Sequence, residues 1–515
     1  MAHLPPRSFY ILISFILLST FVFFFTSGGA LHANVLTCFD NLHKTPQLAI
    51  QPLPNQTHIE SPKPDPEPQF CNYCTPTDEL CKRYGSLNLA RSRAYEGPNA
   101  RLKRVLRKAR SKQPIKIGVI GGSVSKGLGV TPSENWAKLY ADYIRETYDV
   151  EVELINGSVG ATVSEYMETC FIEHIPEDVD LVIIELAIND RRFETLAMSY
   201  ENLIRAIFAL PKNPAIINLQ IMALMFDSIT MGGDLHTAIA QYYDTPIVSL
   251  PCYFSIRNVL LPHILRTTEA NSTDISVEDY WYYHESSKID LRHLGTNGHR
   301  LLADLLQSFT SRVACEGWRE EQTAPTDVGG WDWSPGPAEG LPKPGDIAEY
   351  IPRQSLFQKY DHTTILKPAR PFCQTASGTK YPLRSLPAPL STEGPDAFAL
   401  WSHPSRPDKV WLTASKPGVQ VAFAVQASTY GRIRITYLRS KTYGLGTLFC
   451  WVDDNRSDGR KMDGWWDVDD MHSPNTRIIG DLVGPGEHTL HCELLKETKD
   501  PGGGTEFRII SVDGL

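Results

Sequence analysis

A serine that follows a buried strand is the first feature of this chain that is suited to catalysis. The apolar run Ile115–Gly121 predicts a strand, and Gly121-Gly122-Ser123 ends it. Active sites of open α/β sheets lie at the carboxyl ends of the strands, so this hydroxyl is a candidate nucleophile. The alternative interpretation is a glycine-rich turn with an incidental serine. No Gly-Lys-Ser/Thr closes the stretch as in a Walker A loop, and the Rossmann glycine spacing is absent. Ser125 stands where a nucleophile elbow needs its last glycine.

A nucleophilic serine needs a base, a carboxylate that orients the base, and donors for the oxyanion. Asp290 precedes His293 by three residues, so it can reach Nδ1 of the ring and fix the tautomer. Asn189-Asp190 ends a third apolar strand, and the glycine turn at 157–162 ends the second. An amide and a backbone N–H at those places would point into the same crevice. Singly, an Asn-Asp pair is usually a turn and an Asp-x-x-His is commonly a surface loop.

Together these stretches resemble the SGNH (GDSL-like) hydrolase superfamily over about residues 113 to 313. The resemblance implies Ser123 as nucleophile, His293 as base and Asp290 as the carboxylate that orients it. It implies the N–H groups of Ser123 and Gly160 and the Asn189 amide as oxyanion donors. The four blocks of the superfamily match Gly121–Ser125, Gly157–Thr162, Ala187–Asp190 and Asp290–His293.

Two positions depart from the superfamily pattern. Gly122 stands where an aspartate usually precedes the serine, and Ala187 replaces the glycine before Ile-Asn-Asp. Neither position performs the chemistry, so the departures affect rate and substrate more than fold. The implied reaction is acyl transfer from an ester through an acyl-serine to water or to another hydroxyl. It needs neither a metal nor a cofactor.

Alternating strands and helices are expected to position these residues. Strands that alternate with helices predict a parallel sheet covered on both faces, here a flavodoxin-like doubly wound α/β domain. The strand-like runs are 115–121, 151–156, 180–187, 214–221 and 246–250, and the helical patterns lie near 135–147, 163–174, 199–210, 234–243 and 296–312.

The C-terminal part predicts an antiparallel β-sandwich. Strand-like runs follow one another from about residue 408, and 431–440 alternates cleanly between apolar and polar residues. Cys450 and Cys492 lie in two of these runs and are expected to form a disulfide. Eight of the ten tryptophans lie from Trp318 onward. The adjacent Trp465 and Trp466 stand in an acidic loop that would suit sugar rings, whereas the alternative is that tryptophans fill the sandwich core.

The N-terminus predicts a membrane anchor. The 515-residue chain begins with a short segment containing Arg7, followed by an apolar, uncharged run at 9–27. That run favours an uncleaved signal-anchor with a cytoplasmic N-terminus, and the alternative is a cleaved signal peptide ending near residue 30. Either way the rest of the chain enters the secretory lumen, which permits disulfides among the ten cysteines. The expected form is a single-pass type II protein with a luminal or extracellular catalytic domain.

The net charge of −9 gives no reason to expect nucleic acid as a partner. The basic segment 101–112 predicts a helix with a solvated cationic face, and the alternative is a surface that holds an acidic polysaccharide. Oligomeric state is not indicated. The expected divisions are a cytoplasmic tail at 1–8, the anchor at 9–28, a proline-rich stem at 29–70, a cysteine-containing basic lead-in at 71–112, the catalytic domain at 113–315, an irregular linker at 316–400 and the β-sandwich at 401–515.

These features favour a serine esterase that acts on O-acylated glycans or polysaccharides in the secretory pathway or at the cell surface. Two alternatives are a polysaccharide O-acetyltransferase with the same triad and a catalytically silent glycan-binding protein. Asn156 lies in an acceptor sequon, but the following turn must lie beside Ser123. We therefore expect Asn156 to carry no glycan.

Overall fold

A mostly parallel six-stranded sheet forms the centre of the N-terminal domain in the computed structural model. The sheet order is β1-β6-β5-β4-β2-β3, and all neighbours are parallel except the β1–β6 pair. Without β1 this is the flavodoxin-like order. The structure describes residues 66–225, 231–250, 281–285, 288–322, 350–368, 371–404, 406–469 and 472–515. The strands are β1 (Arg93–Tyr95), β2 (Ile115–Gly121), β3 (Val152–Asn156), β4 (Leu181–Glu185), β5 (Ala215–Gln220) and β6 (Ile247–Ser249).

Helices cover both faces of this sheet, as predicted for a doubly wound domain. One apolar core lies against α3, α5 and α9, and a second lies against α6, α7 and α8. Both cores are built from the near-continuous apolar residues of the strands, which are buried on both faces. The helices are α1 (Glu79–Tyr84), α2 (Ser86–Ser92), α3 (Ala100–Arg110), α4 (Ser123–Lys126), α5 (Trp136–Tyr148), α6 (Ser164–His174), α7 (Glu194–Phe208), α8 (Gly233–Tyr242) and α9 (Thr296–Gln322).

The C-terminal region forms two antiparallel sheets around one shared core, as a β-sandwich should. One sheet has the order β10-β11-β18-β13-β16 with β9 also paired to β18, and the other is β12-β17-β14-β15. Ile435 and Phe507 from the first sheet share an apolar cluster with Phe423 and Leu490 from the second. The strands are β9 (Phe372–Thr375), β10 (Ala399–His403), β11 (Arg406–Ala414), β12 (Gln420–Ala427), β13 (Ile433–Arg439), β14 (Thr447–Val452), β15 (Arg460–Asp463), β16 (Ser473–Gly480), β17 (Gly486–Leu494) and β18 (Phe507–Gly514).

The domain boundaries expected at 315 and 401 need correction. Helix α9 continues to Gln322, and β9 and β10 both begin before residue 401. The segment 350–368 is held against the first domain because the buried Arg205 donates to the carbonyls of Pro352 and Leu366. The expected linker therefore includes parts of both domains rather than a free spacer.

Disulfides join distant parts of the chain. Cys450 and Cys492 face each other on β14 and β17 with their Cα atoms 4.1 Å apart, which confirms the predicted pair. Three further pairs are Cys71–Cys315, Cys74–Cys81 and Cys170–Cys373. The last of them ties α6 of the first domain to β9 of the second. The two other cysteines lie outside the described residues.

The basic helix α3 packs as a structural element. Leu102 and Leu106 are buried, while Lys103 pairs with Glu320 at 2.5 Å and Lys108 pairs with Asp180 at 2.7 Å. Carboxylates of the same domain thus neutralise several cations of this helix. This favours a structural role for the basic segment over a surface that holds an acidic polysaccharide.

Within the described residues, no helix combines the length and the apolar character that crossing a bilayer requires. The anchor expected at 9–28 and the stem expected at 29–70 fall almost entirely outside the described residues, so both remain predictions.

Candidate active site

The carboxyl ends of β2 and β4 border the point where the strand order reverses, and two of the predicted residues lie there. Ser123 follows β2 and begins α4, and Asn189 lies in the loop after β4. A crevice opens at such a switch point because the connections leave the sheet in opposite directions. The fold therefore places the serine and the amide at the edge where ligands of doubly wound sheets bind.

Ser123, His293 and Asp290 form a continuous hydrogen-bonded chain. Ser123 Oγ lies 2.8 Å from His293 Nε2, and His293 Nδ1 lies 2.6 Å from an Asp290 carboxylate oxygen. The other Asp290 oxygen accepts the Arg292 N–H at 2.9 Å, which fixes the carboxylate. With Nδ1–H donated to Asp290, the lone pair of Nε2 faces the serine hydroxyl and can take its proton.

The aspartate and the histidine lie on a strand rather than on the loop that the sequence suggested. Strand β8 (Lys288–Leu294) pairs with β7 (Tyr282–Glu285), and their register shifts between Tyr282 and Tyr283. Residues three apart on a regular strand point to opposite faces, whereas a bulge re-aims one of them. This irregularity lets Asp290 and His293 meet.

Burial and the hydrogen bonds between them set the pKa values of this pair. Burial lowers the pKa of His293 below its ordinary value of 6.5, against the raising effect of Asp290. Burial raises the pKa of Asp290, but the hydrogen bonds from His293 and Arg292 outweigh it, so the net pKa is lowered. Asp290 is therefore ionised and His293 neutral at neutral pH, the states that a base and its orienting group require.

These shifts predict the pH dependence of any reaction that uses His293 as base. Since only the neutral imidazole accepts a proton, kcat/KM should rise with pH through the pKa of His293, with its midpoint below 6.5. Initial rates with p-nitrophenyl acetate between pH 4 and pH 8 measure this limb. The control variant His488→Gln, which removes another histidine paired with an aspartate, should leave the midpoint unchanged. A midpoint above 6.5 would contradict the assignment.

The glycine turn after β3 lies directly beside the serine. Its backbone is tied to β2, since the Val159 N–H donates to the Gly121 carbonyl at 2.9 Å. A Cβ added to Gly160 would stand 3.8 Å from the Cβ of Ser123. Ala161 follows with φ +63°, a left-handed conformation that is uncommon for residues with a side chain. The turn therefore brings the Gly160 backbone next to Ser123.

The Asn189 amide lies against the backbone that precedes the serine. Its Nδ2 donates one hydrogen to the Thr162 carbonyl at 2.9 Å, and an amide has a second hydrogen to give. A Cβ at Gly122 would lie 2.3 Å from this nitrogen. No side chain fits at Gly122 while the amide is there, which gives a physical reason for the missing aspartate.

Removing the Asn189 amide should slow the reaction without preventing folding. Loss of one oxyanion donor costs about 10²- to 10³-fold in kcat, with little change in KM, because the interaction forms mainly in the transition state. Steady-state kinetics of Asn189→Ala measure both constants, and Asn72→Ala, an exposed asparagine outside the site, is the matched control. A loss confined to KM would show that Asn189 binds the ground state instead.

Two crystal structures of a two-domain esterase, CEX, share the fold of this chain. The esterase is active on acetylated mannans, and its structure with mannopentaose aligns with a TM-score of 0.56 and 19% identity over 83% of this chain and 97% of its own. Its second structure aligns with a TM-score of 0.56 and 18% identity over 83% and 98%. This chain has the fold of a two-domain esterase. The predicted fold class, a flavodoxin-like doubly wound α/β domain followed by an antiparallel β domain, is confirmed.

A weaker structural similarity is to another esterase. The psychrotrophic esterase EstA from Pseudoalteromonas sp. aligns over 40% of this chain and 98% of its own with 17% identity and a TM-score of 0.27. No protein-family model and no curated protein matches the chain.

A buried glutamate lies beneath the turn that carries Ser123, and the sequence pattern did not predict it. Glu185 ends β4, is fully buried, and accepts the Ser125 hydroxyl at 2.8 Å and the Gly122 N–H at 3.3 Å. Burial raises its pKa to about 7. A carboxylate from the neighbouring strand thus supports the turn that lacks its usual aspartate. The available signal was a glutamate inside an otherwise apolar strand, because such residues are rarely buried without a partner.

Neighbouring polar residues hold the loops of the site. Asp190 is buried and accepts the Ser164 N–H at 2.9 Å, and it lies 2.8 Å from His236 Nε2, so it is structural. Asn156 donates from Nδ2 to the Ser125 carbonyl at 2.8 Å. Since glycosylation would modify that same nitrogen, the contact gives a further reason to expect Asn156 to be bare, which stays a prediction.

The β domain adds an aromatic groove next to the glycine turn. The cavity measures about 550 Å³ and is lined by Gly160 on one side and by Trp401, Trp411 and Tyr443 on the other. The Arg508 guanidinium lies 4.9, 5.2 and 4.6 Å from the centroids of these three rings. The strands of the β domain thus bring aromatic side chains to the rim of the site.

The two tryptophan predictions differ in outcome. Trp465 and Trp466 do not line this groove, and the Trp466 ring stacks on Arg439 at 4.4 Å, so a sugar site in their own loop stays a prediction. The apolar core of the described sandwich contains no tryptophan, so the core-filling alternative is wrong there. Trp401 is instead 39% exposed at the groove.

Among the described residues, one group of three metal-ligand types lies close together, namely Cys74, Asp78 and Cys81. Its two cysteines form a disulfide with each other, so they are not available as thiolates.

Proposed function

We propose that the protein is a serine esterase that removes acyl groups from O-acylated polysaccharides. The observation that carries this proposal is the chain from Ser123 through His293 to Asp290, with distances of 2.8 and 2.6 Å. These contacts supply a nucleophile, a base and an orienting carboxylate at the open edge of the sheet. The Gly160 turn and the Asn189 amide stand where donors for an oxyanion are needed.

In the proposed reaction, Ser123 Oγ attacks the ester carbonyl while His293 Nε2 takes the hydroxyl proton. The oxyanion accepts hydrogen bonds from the Ser123 and Gly160 N–H groups and from the Asn189 amide. His293 then returns the proton to the departing sugar hydroxyl, which leaves an acyl-serine. Water attacks this ester, again with His293 as base, and releases the carboxylic acid and the free serine.

The carbohydrate substrate is supported by the aromatic groove. Sugar rings stack their C–H faces on aromatic side chains, and Trp401, Trp411 and Tyr443 line a cavity of about 550 Å³. The two-domain esterase CEX, which has the same fold, is active on acetylated mannans. An acylated carbohydrate is therefore the partner that we assign to the groove.

The direct test is an assay of the full-length protein in detergent on p-nitrophenyl acetate and on acetylated mannan. We expect release of acetate from both and covalent labelling of Ser123 by a serine-directed organophosphate. Failure of both the assay and the labelling would leave the alternative of a silent glycan-binding protein. Acetate transfer to an added oligosaccharide in preference to water would instead favour the O-acetyltransferase alternative.

We also propose a luminal location with a membrane anchor at residues 9–28. Four disulfides among the described residues fit an oxidising compartment. Protease treatment of intact microsomes tests the topology. The C-terminal domain should survive without detergent, and its digestion would overturn the proposal.

A further inference from the structure

A second groove lies along the seam between the two domains and carries an excess of positive charge. Its volume is about 470 Å³, and helices α6 and α7 face the β domain across it. The chain as a whole has a net charge of −9, so a cavity lined mainly by cationic side chains has the opposite sign from the protein as a whole. The charged side chains that line the groove are Arg432, Arg434, Arg460, Lys461 and Arg477 against Glu165 and Glu168.

Carboxylates pair with three of the five cations. Glu168 and Asp513 pair with the buried Arg434, Asp481 pairs with Arg432, and Glu497 pairs with Lys461. Burial raises the pKa of Glu165 to about 7, so this group is only partly ionised at neutral pH. Among the described residues, the positive charge left without an ion pair in the groove is that of Arg460 and Arg477.

Two of the cations face the groove without an ion pair. In the described parts of the chain, neither Arg460 nor Arg477 lies within 4.0 Å of a carboxylate oxygen, and both are exposed. This differs from the basic helix α3, where Lys103 and Lys108 pair with carboxylates. Guanidinium groups form paired hydrogen bonds with carboxylates, so the missing partner is an anion of that type.

The cationic groove continues the line of the aromatic groove. Leu438 on β13 and Pro474 on β16 pair across the strands and line the aromatic groove. Arg434 and Ile478 pair farther along the same two strands and line the cationic groove. On β13 the stretch between the grooves is buried, but on the edge strand β16 Pro474 lines the aromatic groove and the half-buried Thr476 lines the cationic one. At about 3.3 Å per residue these two positions are about 7 Å apart, so an extended chain that lies along β16 reaches both grooves.

We infer that the cationic groove binds carboxylates of an acidic polysaccharide whose acyl esters reach Ser123 from the adjoining aromatic groove. This inference rests on the proposed esterase function and narrows its substrate class to polymers that contain uronic acids. The aromatic groove accepts sugar rings of any charge. The guanidinium groups of Arg460 and Arg477 select those that carry carboxylates.

The test compares pentagalacturonate with mannopentaose as probes of full-length protein, using calorimetric titration at low salt. Wild type should bind pentagalacturonate more tightly than mannopentaose. Added NaCl should weaken the binding of pentagalacturonate more than that of mannopentaose. The double variant Arg460→Gln/Arg477→Gln should lose about tenfold in affinity for pentagalacturonate, since two charge-assisted contacts at exposed positions are removed. Its thermal unfolding midpoint reports whether it is folded.

The matched control is Arg107→Gln/Lys138→Gln, which removes two exposed cations elsewhere in the first domain. This control should bind pentagalacturonate like wild type. Equal wild-type affinity for the two oligomers, or an unchanged affinity in the Arg460→Gln/Arg477→Gln variant, overturns the inference. Binding needs no catalysis, so the failure of the esterase proposal is recognised separately, by the absence of p-nitrophenyl acetate hydrolysis.

Discussion

Replacing Ser123 with alanine is expected to lower kcat for p-nitrophenyl acetate by about 10⁶-fold, as removal of a serine nucleophile does in a comparable triad. In the proposed reaction the Ser123 oxygen bonds to the acyl carbon, and no other group forms the acyl-serine. The oxyanion donors and the binding groove remain, so a residual rate above the uncatalysed reaction is expected. Steady-state rates with highly purified protein measure the effect.

The three residues of the triad should act as a unit. His293→Ala should cost about as much as Ser123→Ala, and the double variant should be no slower than either single one. Asp290→Asn should cost about 10⁴-fold, because it leaves the ring without its tautomer partner. Ser133→Ala changes an exposed serine outside the site and is the matched control. Additive losses in the double variant would contradict a shared mechanism.

The sequence predicted which edge of the sheet carries Ser123 and Asn189. Ser123 and Asn189 follow apolar runs, and parallel strands bring their carboxyl ends to one edge whatever the details of packing. The SGNH resemblance added Asp290 and His293, which lie 167 and 170 positions from Ser123 along the chain. The sequence pattern did not predict the β7–β8 hairpin that carries this pair, because a bulge interrupts the apolar–polar alternation by which a strand is predicted.

Features that depend on distant packing were not predictable. The short strand β1 joins the sheet edge antiparallel to β6 although three residues give no pattern. Cys170 and Cys373 are 203 positions apart, and only the docking of the two domains brings them together. The choice of Trp401 and Trp411 over Trp465 and Trp466 likewise depends on which strands of the β domain face the site. Residue type alone does not carry that information.

A buried guanidinium links the two domains, beside the Cys170–Cys373 disulfide. Arg434 of β13 donates to Asp513 at 2.6 Å and pairs with Glu168 of α6. It also donates to the Glu165 carbonyl at 3.0 Å and to the Thr169 hydroxyl at 3.1 Å. All three charged groups of this cluster are nearly inaccessible to water. The attraction between these opposite charges offsets the cost of removing each of them from water.

Arg434→Met is expected to lower the free energy of unfolding by about 3–5 kcal/mol, because it leaves Glu168 and Asp513 buried without a cation. Denaturant titration measures the loss. The triple variant Arg434→Met/Glu168→Gln/Asp513→Asn should recover part of it, since no unpaired charge remains. Arg432→Met, which breaks an exposed ion pair with Asp481, should cost about 1 kcal/mol or less. If Arg434→Met costs no more than Arg432→Met, the cluster does not hold the domains together.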